Sequence, residues 1–194
     1  MKPSSFAAPY VVAASAFAAA ALGSAASADV TFSFTNQTWT GFNFTEAYAA
    51  GSVSGTLIGV SVNATLNAST NYTYADDLCI YVAGSPLALG GLLQCGGFSN
   101  LSATQRYSWA NGGSDAPGTT VTGTVIFTTG INFNANPLQS IWIGNGYGAA
   151  GTSGTWTGTI TLIGVDVPAP GAVALLGLAG LTGRRRRAEI APTI

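Results

Sequence analysis

The chain is 194 residues long, apolar at 47% of its positions and charged at only 7%, with a formal net charge of −1 and no histidine. Ordinary globular proteins carry roughly 25% charged residues, so this chain leaves solubility to hydroxyl and amide groups and excludes a basic groove for nucleic acid. With no histidine and a single lysine at Lys2, the Ser-His-Asp, Cys-His and Ser-Lys routes to an activated nucleophile are closed.

Residues 1–28 read as a secretory signal peptide. Lys2 supplies a positive start and an alanine-rich apolar run follows as far as Leu22. Ala26, Ser27 and Ala28 then present the small residues that signal peptidase accepts before Asp29. The segment 29–166 is left as one domain, long enough to bury a core. Within it Arg106 is the one basic residue against Asp29, Glu46, Asp76, Asp77, Asp115 and Asp166, a formal charge of −5.

That domain alternates. From Ile58 to Asn67 the even positions are apolar or alanine and the odd ones small or polar, the period of a half-buried strand. Val121, Val125 and Phe127 alternate with threonines in the same way. Trp156, Ile160 and Leu162 do so too, until the phase slips near Leu162 to Gly164, where a bulge is expected. Further strands are expected at Val30–Thr35, Trp39–Thr45, Leu78–Val82, Leu87–Gln94, Gln105–Trp109 and Gln139–Ile143, separated by Gly- and Asn-rich joints. Eight or nine strands and no helix predict an all-β chain: a single β-sandwich of the jelly-roll kind.

The run Gly55-Thr56-Leu57-Ile58-Gly59-Val60-Ser61-Val62-Asn63, then Tyr74-Ala75-Asp76-Asp77-Leu78-Cys79-Ile80-Tyr81-Val82, with Gly154-Thr155-Trp156 opening a late strand, resembles the P-domain jelly roll found beside subtilisin-like convertases. The resemblance implies a stabilising or binding module, with calcium near Asp76 and Asp77 and no catalysis.

Cys79 and Cys95 are the only cysteines, and a secreted chain meets an oxidising compartment, so a disulfide between them is expected. It would close a loop of about 15 residues, worth roughly 3 kcal/mol if unstrained. Asp76 and Asp77 offer the oxygen ligands calcium prefers, although an acidic turn capping a strand is the plainer account. Were they on a strand, these neighbours would point to opposite faces, which speaks against a glycosidase pair. Four tryptophans and several tyrosines, Tyr72, Tyr74, Tyr107 and Tyr147 among them, are either core or a sugar-stacking platform. Tyr81 is the candidate stacking residue, because its neighbours Ile80 and Val82 are expected to face inward. Asn36, Asn43, Asn63, Asn67, Asn71 and Asn100 head Asn-x-Ser/Thr triplets, which composition alone accounts for.

The end of the chain has three parts in a fixed order. Val167-Pro168-Ala169-Pro170-Gly171 is a joint that continues neither strand nor helix. An uncharged apolar run to Gly183 follows, about 20 Å long as a helix and short of the ~30 Å hydrocarbon core. Arg184, Arg185, Arg186 and Arg187 come next and would stay on the cytoplasmic side, and residues 188–194 form a tail. This order resembles the PEP-CTERM sorting signal of bacterial surface proteins, with Ala169 where that family's Val-Pro-Glu-Pro motif has glutamate. The resemblance implies recognition by an exosortase-type membrane protease, removal of the tail and delivery to the envelope or extracellular matrix. An ordinary C-terminal membrane anchor is the plainer alternative.

The expectation is therefore a secreted, non-enzymatic protein of the bacterial cell surface or biofilm matrix, structural or adhesive in its work. Its partners would be signal peptidase, the exosortase-type protease and exopolysaccharide, with membrane contact only through the C-terminal helix before processing. A carbohydrate- or calcium-binding jelly-roll module is the first alternative, and a carboxylate-pair glycosidase the second.

Overall fold

The computed structural model describes residues 29–84, 90–98 and 102–167. The signal peptide with Ala26 and Ala28, and the sorting signal from Pro168 through Arg187 with its tail, lie outside the described residues, while Asp29 and Val167 stand at their edges.

Nine strands form among the described residues: β1 (Val30–Thr40), β2 (Asn43–Tyr48), β3 (Ser54–Thr70), β4 (Leu78–Gly84), β5 (Gly91–Cys95), β6 (Ala103–Tyr107), β7 (Thr120–Asn132), β8 (Gln139–Asn145) and β9 (Ser153–Asp166). The single helical element among the described residues is a 3₁₀ turn at Ala75–Asp77. The strands make two sheets, β1-β9-β3-β7 and β2-β8-β4-β5-β6. Every ladder is antiparallel except that between β5 and β6. The expected all-β sandwich is what forms.

Alternation explains which faces meet. Val60, Val62, Ala64 and Leu66 of β3, with Trp156, Ile160 and Leu162 of β9, turn inward and are buried. From the other sheet, Ile80, Val82, Leu93, Ile141 and Ile143 complete the core. Each large aliphatic side chain so buried stabilises the fold by about 1.5–3 kcal/mol over its exposed state. An aromatic line runs through one flank, with Trp39 5.8 Å from both Phe34 and Trp156 between ring centroids.

The expected phase slip in β9 falls at Gly164, whose φ of +87° only glycine adopts without strain. A second slip, between Leu57 and Gly59 of β3, corrects the simple even-odd reading. It buries Leu57 and turns Ile58 out, 45% exposed. A Cβ on Gly59 would stand 2.6 Å from the Val125 carbonyl oxygen, so the slip needs a glycine there.

The outer face of the first sheet is where the hydroxyl groups go. Register aligns Thr31, Thr161, Ser61 and Thr124 across all four strands, and Ser33, Thr159, Asn63 and Thr122 form the next rung. Thr31 and Thr161 hydroxyls are 2.9 Å apart, and those of Ser61 and Thr124 2.6 Å. The free edge of β7 is also closed. Tyr107 Oη accepts from Thr128 N–H at 2.7 Å, Gln105 Nε2 donates to the Thr129 carbonyl, and Asn111 Oδ1 accepts from Thr122 N–H. Side chains in those places block the pairing with another chain that an open edge invites.

Candidate functional site

The 3₁₀ turn between β3 and β4 gathers the loops at one pole of the sandwich. Ala75 N–H donates to the Ser114 carbonyl and Asp76 N–H to that of Gly112. In return the Asp76 carbonyl accepts from Gly97 N–H at 2.9 Å, and the Asp77 carbonyl from Gly146 N–H at 2.8 Å. Two indoles add to this: Trp156 Nε1 donates to the Ala75 carbonyl and Trp109 Nε1 to that of Leu78, at 3.2 and 2.7 Å. Segments far apart in sequence are thereby fixed around four consecutive residues, Ala75 to Leu78.

Above this turn lies a cavity of about 320 Å³. Tyr72, Tyr74, Phe98, Trp109 and Tyr147 supply aromatic walls, and Asp76 and Asp77 supply carboxylates. Ser108, Gly96 and Gly97 complete the lining. Phe98 and Tyr72 are 77% and 72% exposed, so their rings are open to a ligand rather than packed away. Phe98 stands edge-on to Tyr147 with centroids 5.7 Å apart. The loop carrying Tyr147 is held by its own N–H, which donates to Oδ1 of fully buried Asn145 at 2.9 Å.

The two acids differ. Asp77 is buried, and its Oδ2 accepts from Tyr74 N–H at 2.7 Å across the turn. Burial pushes its pKa up to about 6; the Tyr74 N–H opposes this, and neighbouring Asp76 adds repulsion. Asp76 is half-buried, and desolvation raises its carboxyl also. Both stand on a 3₁₀ turn rather than a strand, so the opposite-face expectation does not apply: they line one cavity together. No group of three or more Asp, Glu, Cys or His side chains comes together among the described residues. Asp29 and Asp166 lie at the far pole, where Asp29 Oδ1 accepts from Gly164 N–H and Asp166 pairs with Ser54.

Two expectations are corrected. Cys79 and Cys95 are free thiols, both fully buried. The β4–β5 register places Cys95 opposite Ile80, so Cys95 faces the core while Cys79 faces the other side of the same sheet. Tyr81 does point to the outer face as expected, yet it is fully buried there. Its hydroxyl donates to the Ser102 carbonyl at 2.7 Å and accepts from Gly91 N–H at 3.1 Å, which leaves no ring face for a sugar. Trp39, Trp142 and Trp156 likewise spend their indole N–H groups inside the fold.

Composition pointed to aromatics, but the ones that converge are loop residues. The signal for them was proximity: Tyr72 and Tyr74 flank Asp76 and Asp77 in sequence, whereas nothing local marked Phe98 or Tyr147. No protein-family model, no curated protein and no solved structure matches the chain.

Proposed function

We propose that this is an exported adhesive protein of a bacterial surface or exopolysaccharide matrix, which holds saccharide in the pocket above Asp76 and Asp77. The observation that carries the reading is the set of aromatic rings at one pole, two of them largely exposed, arranged around carboxylates that accept sugar hydroxyls. Ring faces pack on the C–H face of a pyranose and the acids fix its orientation, the usual division of labour in a small-molecule site.

Placement supports the same reading. Both ends of the domain, Asp29 and Val167, lie at the pole away from the pocket, about 40 Å distant along β9. A C-terminal sorting segment following Val167 would therefore tether the domain with its pocket facing outward. The Val167-Pro168-Ala169-Pro170 joint and the arginine cluster support processing by signal peptidase and an exosortase-type protease.

The strand order supports a jelly roll. With β6 set aside, eight strands fall into two four-stranded sheets, and the first strand lies beside the last. Binding, not catalysis, is the role proposed. Asp76 and Asp77 are neighbours on one turn, whereas a glycosidase pair flanks the scissile bond from two sides about 5–10 Å apart.

Retention of the purified protein on immobilised exopolysaccharide tests the proposal. Tyr72→Ala and Phe98→Ala should each weaken binding about tenfold, since deleting a ring that packs on the sugar costs ~1–2 kcal/mol. Undiminished retention of the double variant would reject the pocket as the binding site.

A further inference from the structure

The pocket is polarised. Two carboxylates and no basic side chain are among the residues that line it. Arg106, the one cation of the described domain, lies on the exposed side of β6 and is not among them. A neutral sugar would satisfy hydrogen bonds there yet leave two negative charges without a counter-charge. We infer that the pocket selects a protonated amino sugar, a pyranose bearing a free ammonium group, over neutral sugars of the same shape. This rests on the saccharide reading and names its ligand class.

Three features point the same way. Ring faces carry negative quadrupole density and attract an ammonium group, and five aromatic residues, Tyr72, Tyr74, Phe98, Trp109 and Tyr147, line the pocket. The second is the pair of acids: an ammonium beside a carboxylate makes a charge-assisted hydrogen bond, roughly twice as strong as a neutral one. Burial raises both Asp76 and Asp77, the sign of anionic sites short of positive charge, and an arriving cation would reverse that. Size is the third. At about 320 Å³ the cavity sits at the low end of small-molecule sites, which suits one ring and not an extended oligosaccharide.

Asp76 is the partner assigned to the ammonium group. Asp77 has one oxygen held by Tyr74 N–H and its carboxylate is buried, whereas Asp76 is half-exposed on the same turn. A divalent ion is the poorer fit, because calcium takes six to eight oxygens and the only carboxylates in this lining are Asp76 and Asp77.

The test compares glucosamine, N-acetylglucosamine and glucose as ligands of the purified protein at pH 7, followed by tryptophan fluorescence. Glucosamine should bind about tenfold tighter than the other two, the worth of one charge-assisted hydrogen bond. Asp76→Asn should erase that preference, and Tyr72→Ala should weaken all three sugars together. Equal affinity of the unaltered protein for the three sugars would overturn amino-sugar selection and leave the saccharide reading standing. Calcium or tetramethylammonium displacing glucosamine at equal concentration would overturn the selection too. No sugar bound by a protein with a native near-UV spectrum would overturn both.

Discussion

Ile80 stands directly across from Cys95 in the β4–β5 ladder, and that pairing turns Cys79 away from the one other thiol in the chain. Because side chains alternate along a strand, a bridge would require slipping β5 by one residue against β4, which would move Leu93 out of the core along with Cys95. Both thiols are held by burial above the usual thiol range, so little thiolate is present to react. The purified protein should show two thiols that react with a disulfide reagent only after denaturation. Its intact mass should lack the two-hydrogen deficit of a bridge, and reductant should leave its thermal midpoint unmoved.

Gly97 and Gly146 meet over Cys79 so closely that neither has space for a side chain. A Cβ on Gly97 would stand 2.8 Å from the Gly146 Cα, and one on Gly146 2.6 Å from the Gly97 Cα. Gly146→Ala should therefore lower stability by about 1–3 kcal/mol in urea unfolding, and should weaken ligand binding, because Tyr147 is the next residue. Gly113→Ala, which meets only the end of the Asp76 side chain at 3.9 Å, should change stability by no more than ~0.5 kcal/mol.

The raised Asp77 carboxyl links stability to pH in the direction opposite to a salt-bridged acid. Its folded value of about 6 exceeds the ordinary 3.8, so the folded state binds the proton more tightly. The stabilisation is complete below about pH 4 and is lost as pH rises through 6. Asp76 is the charged group facing it. Unfolding free energy should rise by about 1–2 kcal/mol between pH 7.5 and 4.5, the full shift being reduced by solvent screening at the pocket mouth. Asp77→Asn should flatten that dependence in pH-resolved denaturant titrations.

Tyr81→Phe removes a hydroxyl that ties Gly91 and Ser102 to the centre of the second sheet. The buried Gly91 N–H is left without this partner and the Ser102 carbonyl loses a part-buried one, so the cost should be about 1–3 kcal/mol by urea titration. Saccharide affinity should not change, since Tyr81 is outside the pocket.

Gln105 and Tyr107 cover the β7 edge through Thr128 and Thr129. Gln105→Ala combined with Tyr107→Phe exposes that edge, and light scattering should report self-association that the unaltered protein does not show at equal concentration.

Strand identity was legible in the sequence because it is a local property. Two-residue alternation through Val60, Val62, Ala64 and Leu66, and again through Trp156, Ile160 and Leu162, states which side chains turn inward without reference to any partner strand. The slip at Gly164 showed for the same reason. Register did not, because it depends on which distant strand supplies the hydrogen bonds. Ile80 opposite Cys95, rather than Cys79, is a one-residue choice made by the whole core, and it decided the fate of the expected disulfide. The pocket lies furthest from sequence reasoning. Tyr72, Phe98, Trp109 and Tyr147 sit on four separate loops that become neighbours only when β3, β5, β6 and β8 end at one pole and the Ala75–Asp77 turn binds those loops together.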